Sequence, residues 1–476
     1  MPMDDVAGLG VVELAAAIAR GELSAVEAVD GALVRLAGEG TALACIAGID
    51  ADDARAAAEA ADRVPRPARG SLHGVPLAHK DMFFRAGRAT ECGSRLMAGY
   101  RASSTATALC RLDAAGAVDV ARLSMSEFAI GPTGHNPVTG TPRNPWNPDH
   151  LAGGTSSGPA VAVAAGLVPA ALGSDTGGSV RLPAAFCGVV GLKPGYGRVS
   201  RAGMFPCSAT LDHVGVLARG VADCALVLSA IAGADSLDPT ASHRPPPPAT
   251  VAPASLEGVR IGVPRSYFLE ALDGDAERVA DAALDTFRRL GARLVPVDVP
   301  RAELGNPLAS LIIMVEAATV HRRWMVERAN DYAPETLARL RTGPLYAATD
   351  YRLALTARAA MLKEIGAAVF TEVDILFTPA ATGPAPRIDG GDLPAGTGFA
   401  DLVGPVGRCL RLFNVIGLPA LVLPAGLAAN GLPLGIQLVG RPFGEADILH
   451  AGLAFETAVG GFPRPPRIVR QDSAAS

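Results

Sequence analysis

Apolar and polar positions along the chain switch between a helical and a two-residue period, and the switches lay out the elements. Residues 11–37 read as two helices. The second opens on a capping box, Ser24-x-x-Glu27, and carries Val26, Val29, Leu33 and Leu36 at helical spacing. "HGVPLAHKD" (73–81) reads as a short extended segment ending on Lys80, and "GAVDVARLS" (116–124) as another strand. "PAVAVAAG" (159–166) suits a small buried helix, with Pro159 in its first turn and Gly166 at its end. "LVPAALGSD" then predicts a buried strand. A strand in "RIGVPRS", an amphipathic helix over 276–290 and a strand in "ARLVPVDVP" form one βαβ-like unit. "LPALVLPAGLAANGLPLGIQLVG" predicts a hairpin turning at Asn430-Gly431, and a final helix covers about 445–456. Alternating β and α segments with a late hairpin predict an α/β fold with a mixed sheet.

Composition adds a connector and removes several functions. "DPTASHRPPPPATVAPAS" (238–255) holds four consecutive prolines and reads as an extended spacer between a motif-rich first part and a βα-rich second part. The 476 residues, 49% hydrophobic, suffice for a large core. The net charge of −5 is spread over mixed signs, with no basic stripe for nucleic acid and no Lys/Arg cluster for a membrane surface. Apolar runs are broken by Gly, Pro or charge short of a membrane span. The seven cysteines are dispersed without C-x-x-C, which predicts reduced thiols in a cytoplasmic protein. The start "MPMDDVAGLG" has no basic region, so no signal peptide is expected.

The lysines carry the first chemical signal. Of 42 basic residues only three are lysine: Lys80, Lys193 and Lys363. Where Arg serves every generic role, a surviving Lys is a candidate for chemistry that needs proton loss. Lys363, in "AAMLKEIG", reads as an ordinary helix-surface residue. Hydroxyls cluster in "LAGGTSSGPAVAVAAGLVPAALGSDTGGSVRLPAAFCG" (151–188). Its G-x-S-x-G centres on Ser156 but follows "NPWNPDHLAGG", a loop and not the strand that a nucleophile elbow requires. In "GSDTGGSVR" a buried strand ends on two glycines and Ser179, where bare N–H groups can gather as an oxyanion hole or an anion nest. No phosphate-binding glycine fingerprint accompanies it. The eight histidines show no metal-ligand spacing, so no metal is expected. His79 is the most suggestive base among them, but Lys80, neutral when buried, is the better partner for a serine.

At this point the motifs are recognisable. "GGTSSGPAVAVAAG…GSDTGGSVRLPAAFCGVVGLKP" closely resembles the signature of the amidase signature family, with "HGVPLAHKD" and "GTPRNPWNP" upstream. "YGRVSRAGMFP", "LDHVGVLAR" and "FNVIGLPALVLPAG…GLPLGIQLVGRPF" extend the likeness over essentially the whole chain. The resemblance implies an α/β fold whose mixed central sheet is covered by helices on both faces. It implies one amidase domain over 1–476: N-terminal helices (1–65), a signature core (66–237), the Pro-rich linker (238–255) and a second part (256–476). It further implies a metal-free, cofactor-free Ser–cis-Ser–Lys triad, with Ser179 as nucleophile and Lys80 as general base. The amides of Thr176, Gly177, Gly178 and Ser179 would form the oxyanion hole. The family's bridging serine falls on Thr155, which keeps the hydroxyl and adds a methyl, and a cis Gly154–Thr155 bond is expected. Gly153, Gly154 and Ser156 are candidates for touching substrate. Lys193 is expected to hold the loop after the nucleophile helix, and Asp175 and Arg181 to support the turn or, as the less favoured alternative, to meet substrate.

The resemblance leaves three functions open. The favoured one is an amidohydrolase that cleaves a small carboxamide and releases ammonia or an amine, with a small-molecule amide as partner, no nucleic acid, no membrane, and a homodimer left open. The second is the glutaminase component, the A subunit, of a glutamyl/aspartyl-tRNA amidotransferase. That branch carries an Asp seven residues before the Asn of N-x-x-G-L-P. Here the position is Gly407, and Gly195 stands for the branch's usual Thr or Ser. The third is an inactive binding protein on the same fold. The pocket is expected between the segment after Lys80, residues 126–136 and the stretch 305–410, with Arg323, Arg341 and Arg408 as candidate carboxylate contacts.

Overall fold

A computed structural model describes residues 7–251, 255–390 and 407–466. Parts of the expected N-terminal region (1–6), linker (252–254) and pocket stretch (391–406) therefore lie outside the described residues, as do 467–476.

Eleven strands form one sheet in the order β1-β3-β2-β4-β6-β5-β10-β11-β9-β7-β8. They are β1 (Ile46–Gly48), β2 (Pro76–Lys80), β3 (Val118–Leu123), β4 (Ala170–Asp175), β5 (Val190–Lys193) and β6 (His213–Ala218). The rest are β7 (Arg260–Pro264), β8 (Arg293–Val297), β9 (Ile375–Pro379), β10 (Ala420–Leu427) and β11 (Pro433–Gly440). β2 runs parallel to β3 and β4, and β7 runs parallel to β8 and β9. The middle of the sheet, from β4 to β9, is antiparallel. The sheet is thus mixed, as the alternating pattern predicts. It runs unbroken past the proline-rich stretch, whose start is pinned to the body: Ser242 N–H donates to Gly197 (2.7 Å) and Arg198 to the Pro245 carbonyl (2.9 Å).

The sheet is buried on both faces. Successive side chains along a strand point to opposite sides. In β4, Ala170 and Leu172 enter one apolar cluster and Ala171 enters another; in β6, Val216 and Ala218 oppose Leu217 in the same way. The Val221–Ile231 helix packs into the first cluster, and the Ser157–Ala164 and Ala25–Arg35 helices into the second. A strand covered on both sides is apolar throughout, which is why "PAALG" shows no alternation in the sequence.

The predicted N-terminal cap is present: Ser24 Oγ accepts from Glu27 N (3.1 Å) and Glu27 accepts from Ser24 N (2.8 Å). The hairpin turns at Gly431 with φ +78°. The Gly305–Glu327 helix departs from expectation. The stretch Ala302–Glu327, with mean hydropathy 1.2, is long and apolar enough to cross a membrane, although the sequence pattern predicts no such run. Its Ile312, Ile313, Ala317 and His321 are buried against the body of the protein, which accounts for the apolar composition.

Candidate active site

Three stretches far apart in sequence meet at the ends of β2 and β4. These strands are parallel neighbours, with His79 level with Leu172, so Lys80 falls beside the last residues of β4. Lys80 is fully buried. Its Nζ donates to Thr155 Oγ1 (2.6 Å) and to Ser174 Oγ (2.8 Å). Burial is the main cause that lowers its pKa from 10.5 to about 7; Asp212 and Asp175 oppose the shift. A large fraction of Lys80 is therefore a free amine at neutral pH.

Thr155 is buried at the start of the Ser157–Ala164 helix, and the Gly154–Thr155 peptide bond is cis. Gly154 N–H donates to the Pro132 carbonyl (2.7 Å), and the Thr155 carbonyl accepts from Ser126 N–H (3.2 Å). The threonine methyl is accommodated with the hydroxyl still on Lys80. Ser179 lies in the turn between β4 and the Arg181–Cys187 helix, half-exposed to a cavity of about 330 Å³. Thr155 lines the same cavity, but Ser179 Oγ makes no hydrogen bond to any described residue, so the link from serine to threonine is open in this state.

The turn is held from behind. Asp175 accepts from Gly178 N–H (2.8 Å) and Val180 N–H (3.2 Å) and is paired with the fully buried Arg181 (2.9 Å). Burial alone would raise the Asp175 carboxyl, but Arg181 and then Lys193 hold it well below the usual range. Arg181 also donates to Asn414 (2.6 Å), in the Leu412–Val415 helix, and to Gln437 (2.7 Å) in β11, which tie the turn to the C-terminal part of the chain. Gly178 has φ +113°, and a Cβ there would stand 2.7 Å from Leu410. Only glycine fits that backbone.

The structure redraws part of the expected constellation. The Gly178 N–H is taken by the Asp175 carboxylate, which caps the turn; the N–H groups of Gly177 and Ser179 are unpaired among the described residues. Thr176 donates its hydroxyl to Asp212 (2.6 Å). Ser156 is turned inward onto the Ser174 backbone (3.1 and 3.3 Å), and Gly153 packs on Pro183; of the three candidate contacts only Gly154 lines the cavity. His79 is occupied by Asp119 (3.4 Å) and the Lys80 carbonyl (3.1 Å). Lys193 donates to the Pro194 and Leu418 carbonyls (3.0 and 2.6 Å), consistent with a holding role.

The walls also differ. Residues 129–132 and several from the stretch 305–410 line the cavity, but nothing from the segment after Lys80 does. Arg323 and Arg341 are exposed, and Arg408 pairs with Glu270 and stacks on Tyr267. The cavity instead receives Arg339 and Arg411. Arg339 and Arg341 are only two residues apart around the Pro334–Leu340 helix and its end, so they face different sides. Sequence reasoning misses both cavity arginines and Ser174. Ser174 is legible in principle, as the hydroxyl at the end of the strand beside Lys80. Nothing in one sequence separates Arg339 and Arg411 from the other arginines.

Comparison with known proteins bears on this geometry. The Amidase family model matches residues 27–449. The A subunit of the glutamyl-tRNA(Gln) amidotransferase of Anaeromyxobacter sp. (strain K) is 40% identical, covering 98% of this chain and 99% of that protein. A chain solved with inhibitor in a vestigial protein complex, which reveals the evolutionary origins of an s-triazine catabolic enzyme, superposes with a TM-score of 0.86. It is 33% identical and covers 96% of this chain and 100% of its own. Native peptide amidase from Stenotrophomonas maltophilia superposes with a TM-score of 0.83 at 30% identity, covering 97% of this chain and 99% of that one. These relatives overturn the expectation of a chain that works without nucleic acid and with at most a second copy of itself. The 40% identical relative is one component of a glutamyl-tRNA(Gln) amidotransferase.

Proposed function

The chain belongs to the amidase family, enzymes that hydrolyse C–N amide bonds, and from that premise we propose that it does so through an acyl-enzyme on Ser179. The observation that carries this reading is the buried Lys80 Nζ, 2.6 Å from Thr155 Oγ1, beneath the cavity that Ser179 faces. Neutral Lys80 draws the Ser179 proton through the Thr155 hydroxyl as Oγ attacks the amide carbon. The oxyanion rests on the N–H groups of Gly177 and Ser179. The relay returns the proton to the leaving nitrogen, ammonia departs, and water cleaves the ester by the same path in reverse. The products are a carboxylic acid and ammonia.

The relatives favour glutamine as the amide and the supply of ammonia within a larger assembly as the role. One observation favours a second reading, in which the amide is not glutamine. Gly407 stands where the glutamine-specific branch carries an acid, and a Cβ there would lie 2.8 Å from Arg411 Cδ and 2.5 Å from Asn306 Oδ1. Labelling with a fluorophosphonate probe, followed by mass mapping, tests the nucleophile. The wild type should carry the probe on Ser179, and Ser179→Ala should carry none. Equal labelling of Ser179→Ala, or a label mapped elsewhere, refutes the assignment, and a wild type inert to probe and amides alike points to the binding-protein reading.

A further inference from the structure

The end of β4 separates two buried groups of opposite sign. Lys80 lies on its β2 side, since His79 is level with Leu172, and Asp212 on its β6 side, since His213 is level with Asp175. Their exposures are 0% and 2%. Among the described residues neither makes an ion pair. Lys80 Nζ meets the Thr155 and Ser174 hydroxyls. Asp212 accepts from the Thr176 hydroxyl (2.6 Å) and from the N–H groups of Cys207 and Ser208 (2.9 Å each). Two hydroxyls of one short segment, Ser174 and Thr176, thus hold the amine and the carboxylate.

The surroundings decide which charge can answer Lys80. The Cys207 and Cys92 thiols beside it are pushed well above their usual range by burial and stay neutral. Asp175 is matched by Arg181 (2.9 Å) and caps the turn. Asp212 remains, and of the two carboxylates it acts the more strongly on Lys80. On the far side of Asp212, Arg201 is drawn off by Asp238 (3.4 Å) and acts from beyond ion-pair distance. His213, held neutral by burial, faces the Asp175 and Leu211 carbonyls. Glu316 takes the Ser208 and Thr210 hydroxyls and the Thr210 N–H (3.0 Å), which fixes the 207–212 loop from behind.

Proton transfer from Ser179 turns Lys80 into an ammonium in a buried place. Such a charge is unfavourable unless an opposite one lies near, and the attraction is weakly screened there. We propose that Asp212 is a positioning residue for this step: its carboxylate fixes Thr176 at the nucleophile turn and supplies the negative charge opposite Lys80 once Lys80 holds the serine proton. Ser179 loses its proton to Thr155, Thr155 passes one to Lys80, and Asp212 gains none. The inference rests on the Ser179 reading for its chemistry, but the charge opposite Lys80 is measured without turnover.

Asp212→Asn isolates that charge, because an amide can accept from both N–H groups through its oxygen and donate to the Thr176 hydroxyl through its nitrogen. The chain has only three lysines, so NMR of isotope-labelled lysine resolves Lys80, assigned through Lys80→Met. The Lys80 midpoint should lie at about 7 in the wild type and about one pH unit lower in Asp212→Asn, since loss of the carboxylate disfavours the ammonium. Asp212→Ser removes the same charge with a smaller side chain and should give the same downward shift, which covers an asparagine variant that does not fold. The acid limb of the fluorophosphonate labelling rate should move down by the same amount, with a plateau a few-fold lower because a weaker base takes the proton. A Lys80 midpoint that stays or rises in a folded neutral variant overturns the proposal, since a merely structural role leaves it in place. A wild type that is not labelled on Ser179 refutes the nucleophile instead, while the lysine titration still decides Asp212.

Discussion

Replacing Thr155 by valine isolates the relay. Valine keeps the volume and β-branching of threonine, and Thr155 is 2% exposed, so the backbone has no steric reason to move. The change removes the acceptor 2.6 Å from Lys80 Nζ and leaves Ser174 Oγ at 2.8 Å as the remaining hydroxyl partner. Loss of one hydrogen bond to a charged or polar buried group costs about 1–3 kcal/mol of stability. The catalytic loss should be larger, because no hydrogen bond joins Ser179 directly to Lys80 and Thr155 is the proposed path for the proton. Removal of general-base assistance lowers rates about 10²–10⁴-fold, or about 3–5 kcal/mol at 1.36 kcal/mol per decade. The assay is the second-order rate of fluorophosphonate labelling alongside ammonia release from a short amide, with urea denaturation as the folding control. Thr155→Ser should stay within a few-fold of wild type. A folded Thr155→Val protein that retains more than about a third of wild-type rate would sink the relay.

Three further outcomes follow from the same geometry. The kcat/KM profile should rise with pH, reach half its maximum near 7 and level off above it, since Lys80 is proposed to act when neutral and its pKa is about 7; Lys80→Met should be folded and nearly inactive, and a limb near 10 would contradict the burial argument. Arg181→Met leaves Asp175 buried without its ion partner and should cost about 3–5 kcal/mol in denaturant unfolding, whereas an unchanged midpoint would show that the turn stands without the pair. Glu456 is raised to about 7, first by burial and then by the nearby Asp223. Because the folded state holds this proton more tightly than the unfolded chain, the associated stability is full below pH about 4.5 and is lost as pH rises through about 7. Glu456→Gln should therefore stabilise the protein at pH 8, by about 1–3 kcal/mol, and have little effect at pH 4; thermal unfolding at the two pH values decides it.

The local parts of the fold were legible because their causes are local. The Ser24/Glu27 box, the Asn430-Gly431 turn and the βαβ unit around 276–290 depend on residues within a few positions of one another. The order of strands was not legible. β10 pairs with β5 across more than 200 residues, and both are apolar on each face, so no alternation marks their neighbours. The long Gly305–Glu327 helix illustrates the reverse problem: its composition fits a membrane as well as it fits a buried face.

The sequence by itself determined the chemistry on offer: a lysine spared in an arginine-rich chain, a threonine hydroxyl after two glycines, and a serine after two more. It also determined that position 178 carries glycine, which the backbone there demands. Only the tertiary structure decided which groups are free to act. Packing between β2 and β4 strips water from Lys80 and lowers its pKa to about 7. The Asp175 carboxylate claims the Gly178 N–H and leaves those of Gly177 and Ser179 unpaired among the described residues. Arg411 and Arg339, two among many arginines in the sequence, become distinctive because folding places them on the wall of the cavity that Ser179 faces. Desolvation and the matching of charges are properties of neighbours in space, and the chain brings those neighbours from positions hundreds of residues apart.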